Sequence, residues 1–313
     1  MSAIFINPQL IVQQNDKFTT GIVYMPITLA YVISSFKKNN IKTKLIDLYG
    51  ANPTNCFKHE KSLIFGDSIK DIDQTELKAA NCFFINANQI GNHSSILEII
   101  KFLKKKYPST PIIILENAQA VTAYSLSKVK DEFLDLECQY ILIGDLENIA
   151  IEVYKNLENP EYLSNINGII TKTFCNDKIN FIKNLDELNF PAWEDFALEN
   201  YWKLGYAHGP LSSKRYLPIL SSRGCPYPCN FCVIPQTNER KWRSRSPENV
   251  VSELEYFMDK LKITEFHFED LNSTVNDTRT KELCNLIIDK KIKIKWKIVA
   301  GTKVESIKDK ETV

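Results

Sequence analysis

The first half of the chain alternates between two patterns at regular spacing, and that alternation limits the folds open to it. Short apolar runs rich in Ile and Phe, "AIFINP" (3–8), "TKLIDLYG" (43–50), "CFFINAN" (82–88), "PIIILEN" (111–117) and "YILIGD" (140–145), each end in polar residues or glycine. Runs this short and this continuously apolar predict strands buried on both faces. The stretches between them have helical spacing. "PITLAYVISSFKKNN" opens with Pro26 in a first-turn position and closes on a basic turn, and "SSILEIIKFLKKKYP" puts Ile96, Ile99, Ile100 and Leu103 on one face before Pro108 stops it. "LENIAIEVYKNL" follows the fifth run. Strand and helix in turn predict an α/β fold with a doubly wound parallel sheet covered on both faces.

A hairpin, "NGIITKTFCNDKINFIK", is expected to turn at Asn176-Asp177 and to close this first unit at residue 183. "NLDELNFPAWEDFALENYWKLG", interrupted by Pro191 and without clear periodicity, reads as a linker over 184–212 that crosses the surface of both units. The second unit, 213–313, repeats the alternation. "YLPILSSRGCP" is a strand running into a cysteine loop, and "SPENVVSELEYFMDKLK" is a helix with Ser246 as N-cap and Pro247 at its first position. "EFHFEDL" is a strand by alternation, "TRTKELCNLIIDKK" a helix and "IKWKIVAG" a third strand.

Ligands of doubly wound sheets bind outside the carboxyl ends of the strands. The loops there are "NPQLIVQQ", "ANQIGNHS", "ENAQA" and "GDLEN"; none is a Gly-x-Gly-x-x-Gly turn, and no Walker sequence occurs, so neither a dinucleotide nor a nucleoside triphosphate is supported. His93, the sole histidine in these loops, reads as a surface residue at a helix start. The 39 basic and 38 acidic residues nearly cancel, so the global charge points to neither nucleic acid nor an anionic membrane surface. "MSAIFINPQLIVQQND" is not a secretory signal and no apolar run reaches bilayer-spanning length, so the expected setting is cytoplasmic. Thiols stay reduced there, and clustered cysteines read as metal ligands or catalysts. Cys56, Cys82, Cys138, Cys175 and Cys284 are scattered and read as small core residues.

Cys225, Cys229 and Cys232 are different: they stand in Cys-x3-Cys-x2-Cys spacing within "SSRGCPYPCNFCVIP" (221–235). Three thiolates on one short loop can ligate three corners of a four-iron cluster and leave the fourth iron without a protein ligand. Open metal positions are where substrates or cofactors bind. The alternative is a structural zinc site, which needs four closed ligands and would be completed by His208, His267 or Cys284. "RGCPYPCNFC" resembles the signature of the radical S-adenosylmethionine (SAM) enzymes, including the aromatic Phe231 just before the third cysteine. The resemblance implies a partial (β/α) barrel with this loop after its first strand and a [4Fe-4S] cluster held by Cys225, Cys229 and Cys232. It also implies SAM chelating the open iron through its amino and carboxylate groups, with Phe231 near the adenine. An acidic residue at the end of the second barrel strand often holds the SAM ammonium group in this family; Glu269 and Asp270 of "FHFED" are the candidates, with a helix cap or a solvated pair as the alternative. Arg240, Lys241, Arg243 and Arg245 of "NERKWRSRSP" either screen an anionic cofactor or substrate or form a solvated basic loop.

The order of doubly wound unit, "LDELNFPAWEDF" and cysteine loop is similar to the radical SAM subclass with an N-terminal cobalamin-binding domain of Rossmann type. That resemblance makes cobalamin a further expected cofactor and methyl transfer the commonest outcome of the radical chemistry, with rearrangement and ring formation as others. A small-molecule or biosynthetic-intermediate substrate and an electron donor such as flavodoxin or ferredoxin follow from it. Departures are visible: no Asp-x-His-x-x-Gly is present, and Glu116-Asn117 stand where family members commonly have Gly-Gly, whose lack of side chains permits close backbone approach. A ligand-free scaffold is therefore the alternative for the first unit. A radical SAM barrel has about six strand–helix units and this sequence offers three strands, so the expectation is a barrel truncated here or completed by another chain. The competing functional reading is a non-catalytic iron–sulfur or zinc module.

Overall fold

A computed structural model describes residues 2–15, 22–307 and 310. Its N-terminal sheet takes all five apolar runs. They form β1 (Ser2–Asn7), β2 (Thr43–Asp47), β3 (Ala80–Ala87), β4 (Ile112–Glu116) and β5 (Tyr140–Leu142), joined at the far edge by the short β6 (Ile169–Ile170) and β7 (Cys175–Asn176). The order is β7-β6-β5-β4-β3-β1-β2, parallel from β2 to β5 and antiparallel for the last two strands. The chain leaves β1 toward β2 on one side and returns to β3 on the other, which makes the carboxyl ends of β1 and β3 the topological switch point.

Helices cover both faces. Helix α1 (Ile27–Lys38) and helix α3 (Leu146–Lys155) pack on one, with Phe36 against Phe5 and Phe84. Helix α2 (His93–Lys106) buries Ile96, Ile99, Ile100 and Leu103 on the other. The hairpin turns earlier than its sequence suggests. Thr171 carries its hydroxyl into the turn and accepts from the Thr173 and Phe174 amides, so residues 171–174 make the turn and Asn176 lies in the returning strand. A small three-stranded sheet was not foreseen: Leu10–Gln13, read as loop, pairs antiparallel with Ser62–Phe65, which also pairs with Cys56–His59, beside the switch point.

The second unit has three parallel strands in chain order, β8 (Tyr216–Ile219), β11 (Glu265–Phe268) and β12 (Lys295–Ile298); β9 (Ser222–Arg223) and β10 (Arg243–Ser244) form a separate antiparallel pair between the first two. Helix α4 (Ile234–Asn238) follows the cysteines, helix α5 (Pro247–Leu261) follows β10, and helix α6 (Asp277–Asp289) connects β11 to β12. Ser246 caps α5 by accepting from the Asn249 amide, as its position before Pro247 predicts. Strand β11 departs from simple alternation, since all four of its residues are buried and His267 Nε2 lies 3.0 Å from Glu265 Oε1.

The linker does not run over the surface. Trp193 and Tyr201 are fully buried, Tyr201 donates its hydroxyl to Asp47 at 2.7 Å, and the Ala192 amide donates to the Ala30 carbonyl. Aromatic side chains of that size gain more by filling the seam between units than by lying in water. The result is one continuous apolar core that includes α1, the linker, and Leu217, Val250 and Phe257 of the second unit.

Candidate functional site

The three clustered cysteines occupy the loop between β9 and α4. All are free thiols of intermediate exposure, and the Cys232 amide donates to the Cys229 carbonyl at 3.1 Å. Burial raises the Cys225 thiol, and the neighbouring Cys232 and Cys229 add to it, which marks the three as electrostatic neighbours. Lys303, whose ammonium lies 4.3 Å from the Tyr227 ring centroid, opposes that shift. Among the described residues no three His, Cys, Asp or Glu side chains converge at metal-ligand spacing. Phe231 points outward, 94% exposed.

What distinguishes this loop is how its ends are held. Arg223, two residues before Cys225 and 4% exposed, gives its guanidinium to Asp145 at 3.0 Å and to both oxygens of Glu147 at 3.1 and 2.5 Å. Asp145 also accepts from Arg243 and from the Ile182 amide. Burial works against its charge, but the Arg223 and Arg243 guanidiniums hold its carboxyl below the ordinary value. Next along the chain, the Gly224 amide donates to Gln119 Oε1 at 3.0 Å. At the other end of the loop, Asn238 accepts from Gln119 Nε2 at 2.9 Å and donates to the Ala118 carbonyl at 2.7 Å. The cysteine segment is thus gripped before and after by residues of the first unit.

This corrects the reading of "NERKWRSRSP" at two positions. Arg243 and Arg245 are neither a solvated loop nor an anion screen: Arg245 is 4% exposed and pairs at 2.5 Å with Glu253, while Arg243 closes on Asp145. A guanidinium can be buried only against matched acceptors, and the fold supplies them. Arg240 and Lys241 do remain at the surface, with Arg240 donating to the Pro226 carbonyl of the cysteine loop. The acidic half of "GDLEN", read as part of a ligand loop, is likewise taken up by Arg223 and Arg243. Arg223 and Gln119 had no signal in the sequence. Glu253 did, because it sits between Val250 and Phe257 on the apolar face of α5.

A crevice opens at the switch point. Its polar lining is almost entirely uncharged: Asn7, Asn88, Gln89, Asn92, Asn117 and Gln119 contribute amides, and Glu269 of the second unit is the one ionisable acid. Most of these amides are bonded to one another or to backbone, as where Asn92 donates to Asn88 and Asn117 accepts from the Gln119 amide. Thr122 Oγ1, in the same wall, is buried with no partner among the described residues. Glu116 turns away from the crevice and accepts from the Leu126 amide, so of the Glu116-Asn117 pair only Asn117 lines it. His93 is no simple surface residue: Nδ1 meets the Tyr124 hydroxyl and Nε2 meets Glu132, both at 3.1 Å.

The two acids after β11 have separate surroundings. Asp270 is fully buried and accepts from the Ser221 amide at 3.1 Å and from the Ser221 and Ser222 hydroxyls at 2.8 and 2.5 Å, so it ties β11 to the start of the cysteine loop; it is neither a helix cap nor solvated. Glu269 faces the crevice, with Oε1 3.1 Å from His208 Nε2 and no partner on its other oxygen among the described residues. Burial raises the carboxyl of each. A zinc site completed by His208, His267 or Cys284 is not formed. His208 is engaged by Glu269, His267 is buried against Glu265, and Cys284 lies in an apolar pocket with Phe268 and Leu283. Of the scattered cysteines, Cys82 and Cys138 are core residues as expected, but Cys56 and Cys175 are exposed and Cys284 is half-buried.

No family model matches the chain. It is 32% identical over 119 residues to cytidylyl-2-hydroxyethylphosphonate methyltransferase of Streptomyces wedmorensis, a match covering 38% of this chain and 22% of that protein. It is 25% identical over 222 residues, 69% of the chain and 41% of the relative, to anaerobic magnesium-protoporphyrin IX monomethyl ester cyclase of Synechocystis sp.. Hopanoid C-3 methylase of Methylococcus capsulatus matches at 24% over 234 residues, 73% of the chain and 39% of that enzyme. The chain therefore spans well under half the length of these relatives. In fold it resembles the cobalamin-dependent SAM radical enzyme OxsB, solved with aqua-cobalamin and SAM, with a TM-score of 0.67 at 18% identity over 94% of this chain and 38% of that one. It also resembles the radical SAM methyltransferase TsrM from Kitasatospora setae, solved with cobalamin and a [4Fe-4S] cluster, with a TM-score of 0.61 at 14% identity over 93% of this chain and 52% of that one. In fold the chain is like these radical SAM proteins that bind cobalamin, and in sequence it is similar to the named methyltransferases and cyclase over part of their length.

Proposed function

We propose that this chain carries the cluster loop and the cobalamin-type unit of a radical SAM enzyme whose reaction is methyl transfer to a small molecule. The observation that carries the reading is the Cys225-x3-Cys229-x2-Cys232 loop, three free neighbouring thiols on a segment held at both ends beside the crevice of the first unit. The donor set fits an iron–sulfur cluster: thiolates are the ligands such clusters take, and three of them leave one iron open. When bound, that cluster supplies the electron that cleaves SAM reductively. Cys225, Cys229 and Cys232 would hold it, and Phe231, already exposed beside Cys232, is free to cover a bound adenine. Asp270 is occupied by Ser221 and Ser222, which leaves Glu269 as the acid able to meet an ammonium group.

The crevice suits cobalamin by its chemistry. A neutral, amide-lined wall at a topological switch point matches a ligand whose rim is itself neutral amide, and among the described residues no histidine lines it to serve as a lower axial ligand. Methyl transfer is favoured over ring formation because two of the three curated relatives above are named as methyl-transferring enzymes, while the third is a cyclase. A flavodoxin- or ferredoxin-type donor would supply the electron, and the expected setting is the cytoplasm. No helix among the described residues is long and apolar enough to cross a membrane.

Anaerobic reconstitution with iron and sulfide, followed by electron paramagnetic resonance of the reduced protein, tests the reading. SAM should change the signal of the cluster; a spectrum indifferent to SAM sinks it. Cys229→Ala should remove essentially all cluster-bound iron, and iron retained at wild-type stoichiometry would refute the ligand assignment.

A further inference from the structure

The loop after β4 has two faces with different duties. Asn117, Gln119, Ala120 and Thr122 line the crevice, yet the Gln119 side chain reaches out of that wall to the backbone of Gly224, the residue immediately before Cys225. Its amide nitrogen goes to Asn238, which closes the segment after Cys232 and is bonded back to Ala118. Every bond in this set is buried. Displacing Gln119 would leave the Gly224 amide and the Asn238 oxygen without partners, a loss that buried polar groups do not recover from water.

The entry to the cysteine segment has no slack with which to absorb such a displacement. Gly224 has φ +78°, and a Cβ there would lie 1.9 Å from the Lys241 carbonyl oxygen. Arg223, its neighbour, is fixed on Asp145 and Glu147. A shift of the crevice wall at 117–122 is therefore transmitted to the segment as a whole. We infer that Gln119 is a positioning residue that couples occupancy of the crevice to the conformation of the cysteine loop, so that a corrinoid in the crevice and a cluster on the loop each raise the protein's affinity for the other. This rests on the cobalamin reading above and adds to it a reciprocal free-energy link, since coupling between two binding sites acts equally in both directions.

Hydroxocobalamin binding is measured on the metal-free protein and on the anaerobically cluster-loaded protein, together with hydrogen exchange of the peptide spanning 221–240 in the metal-free state. The wild type should bind hydroxocobalamin at least about fivefold more tightly when loaded, at the lower end of ordinary coupling, and the corrinoid alone should slow exchange in that peptide. In Gln119→Leu, similar in size but unable to make either bond, the ratio of hydroxocobalamin affinities between the two forms should fall to near one, whatever the absolute affinity, and the added protection should be gone. Gln119→Glu keeps the acceptor for Gly224 and should retain part of the ratio. Equal affinities for the two wild-type forms overturn the coupling while leaving the cobalamin reading intact, and this outcome needs no variant to fold. A full ratio persisting in Gln119→Leu overturns the role of Gln119. Failure of the wild type to bind hydroxocobalamin at all is the separate result that removes the cobalamin reading, and the coupling with it.

Discussion

Glu116 shows how much a single buried residue can report. It ends β4, is 2% exposed, and has its carboxyl pushed up by burial to about 7 from an ordinary 4.5, against the help of the Leu126 and Gly144 amides. The folded state thus holds a proton on Glu116 that the unfolded chain has released anywhere between those two values. Its contribution to stability is complete below about pH 4.5 and is lost as pH rises through about 7, by at most about 1.4 kcal/mol per unit. Glu116→Gln, which cannot ionise, should gain stability relative to the wild type as pH rises from 5 to 7.5. Urea unfolding at both pH values checks it, and a pH-independent difference between the two proteins would contradict the assignment. The same residue marks a limit of sequence reading. Its place at the end of an apolar run was legible, but not the direction of its side chain, which decides that Asn117 alone faces the crevice. Arg223, Gln119 and Asp145 were illegible for a related reason: their partners lie 37 to 119 positions away, and no periodicity links them.

At the scale of elements, the strands and helices that carry their own signals were where the sequence put them, because an apolar run or a cap is a local fact. Helix α5 is the clearest case. Ser246 accepts from the Asn249 amide at 3.1 Å, and Pro247 removes a donor that would have had no partner in the first turn. Ser246→Ala should cost about 1 kcal/mol, read as a lower midpoint in denaturant with an unchanged slope, whereas a loss near zero would mean that the Asp186 carboxylate, which accepts from the Ser246 amide, already fixes the helix start. The elements that misled have non-local causes. The hairpin turn moved to 171–174 because a threonine hydroxyl outcompeted the Asn176-Asp177 signal. Leu10–Gln13 became a strand only because Ser62–Phe65 lies beside it, and within "NERKWRSRSP" Arg243–Ser244 became a short pairing strand whose Arg243 meets Asp145 of the first unit.

For the molecule as a whole, the seam is the informative region. Trp193 and Tyr201 fill it, Arg223 and Arg245 are buried along it, and Tyr31 of α1 lies 3.2 Å from the Arg245 guanidinium. An interface of this kind should make the two units unfold together. All four tryptophans, Trp193, Trp202, Trp242 and Trp296, lie in the linker or the second unit, while the backbone of both units contributes to far-ultraviolet circular dichroism. Transitions followed by fluorescence and by dichroism should therefore coincide in midpoint and steepness. Two separated transitions would show that the seam contributes less than its burial suggests.

The grip on Gly224 and Asn238 also sets where such proteins can be recombined. Sequence places the natural cut for exchanging the first unit in the linker, near 184–212. A chimera joined there would set a foreign loop against Gly224 and Asn238, and a foreign acid pair, or none, against Arg223. The portable module is instead the first unit together with residues 221–245, so a functional transplant must carry its cysteine loop along with its crevice.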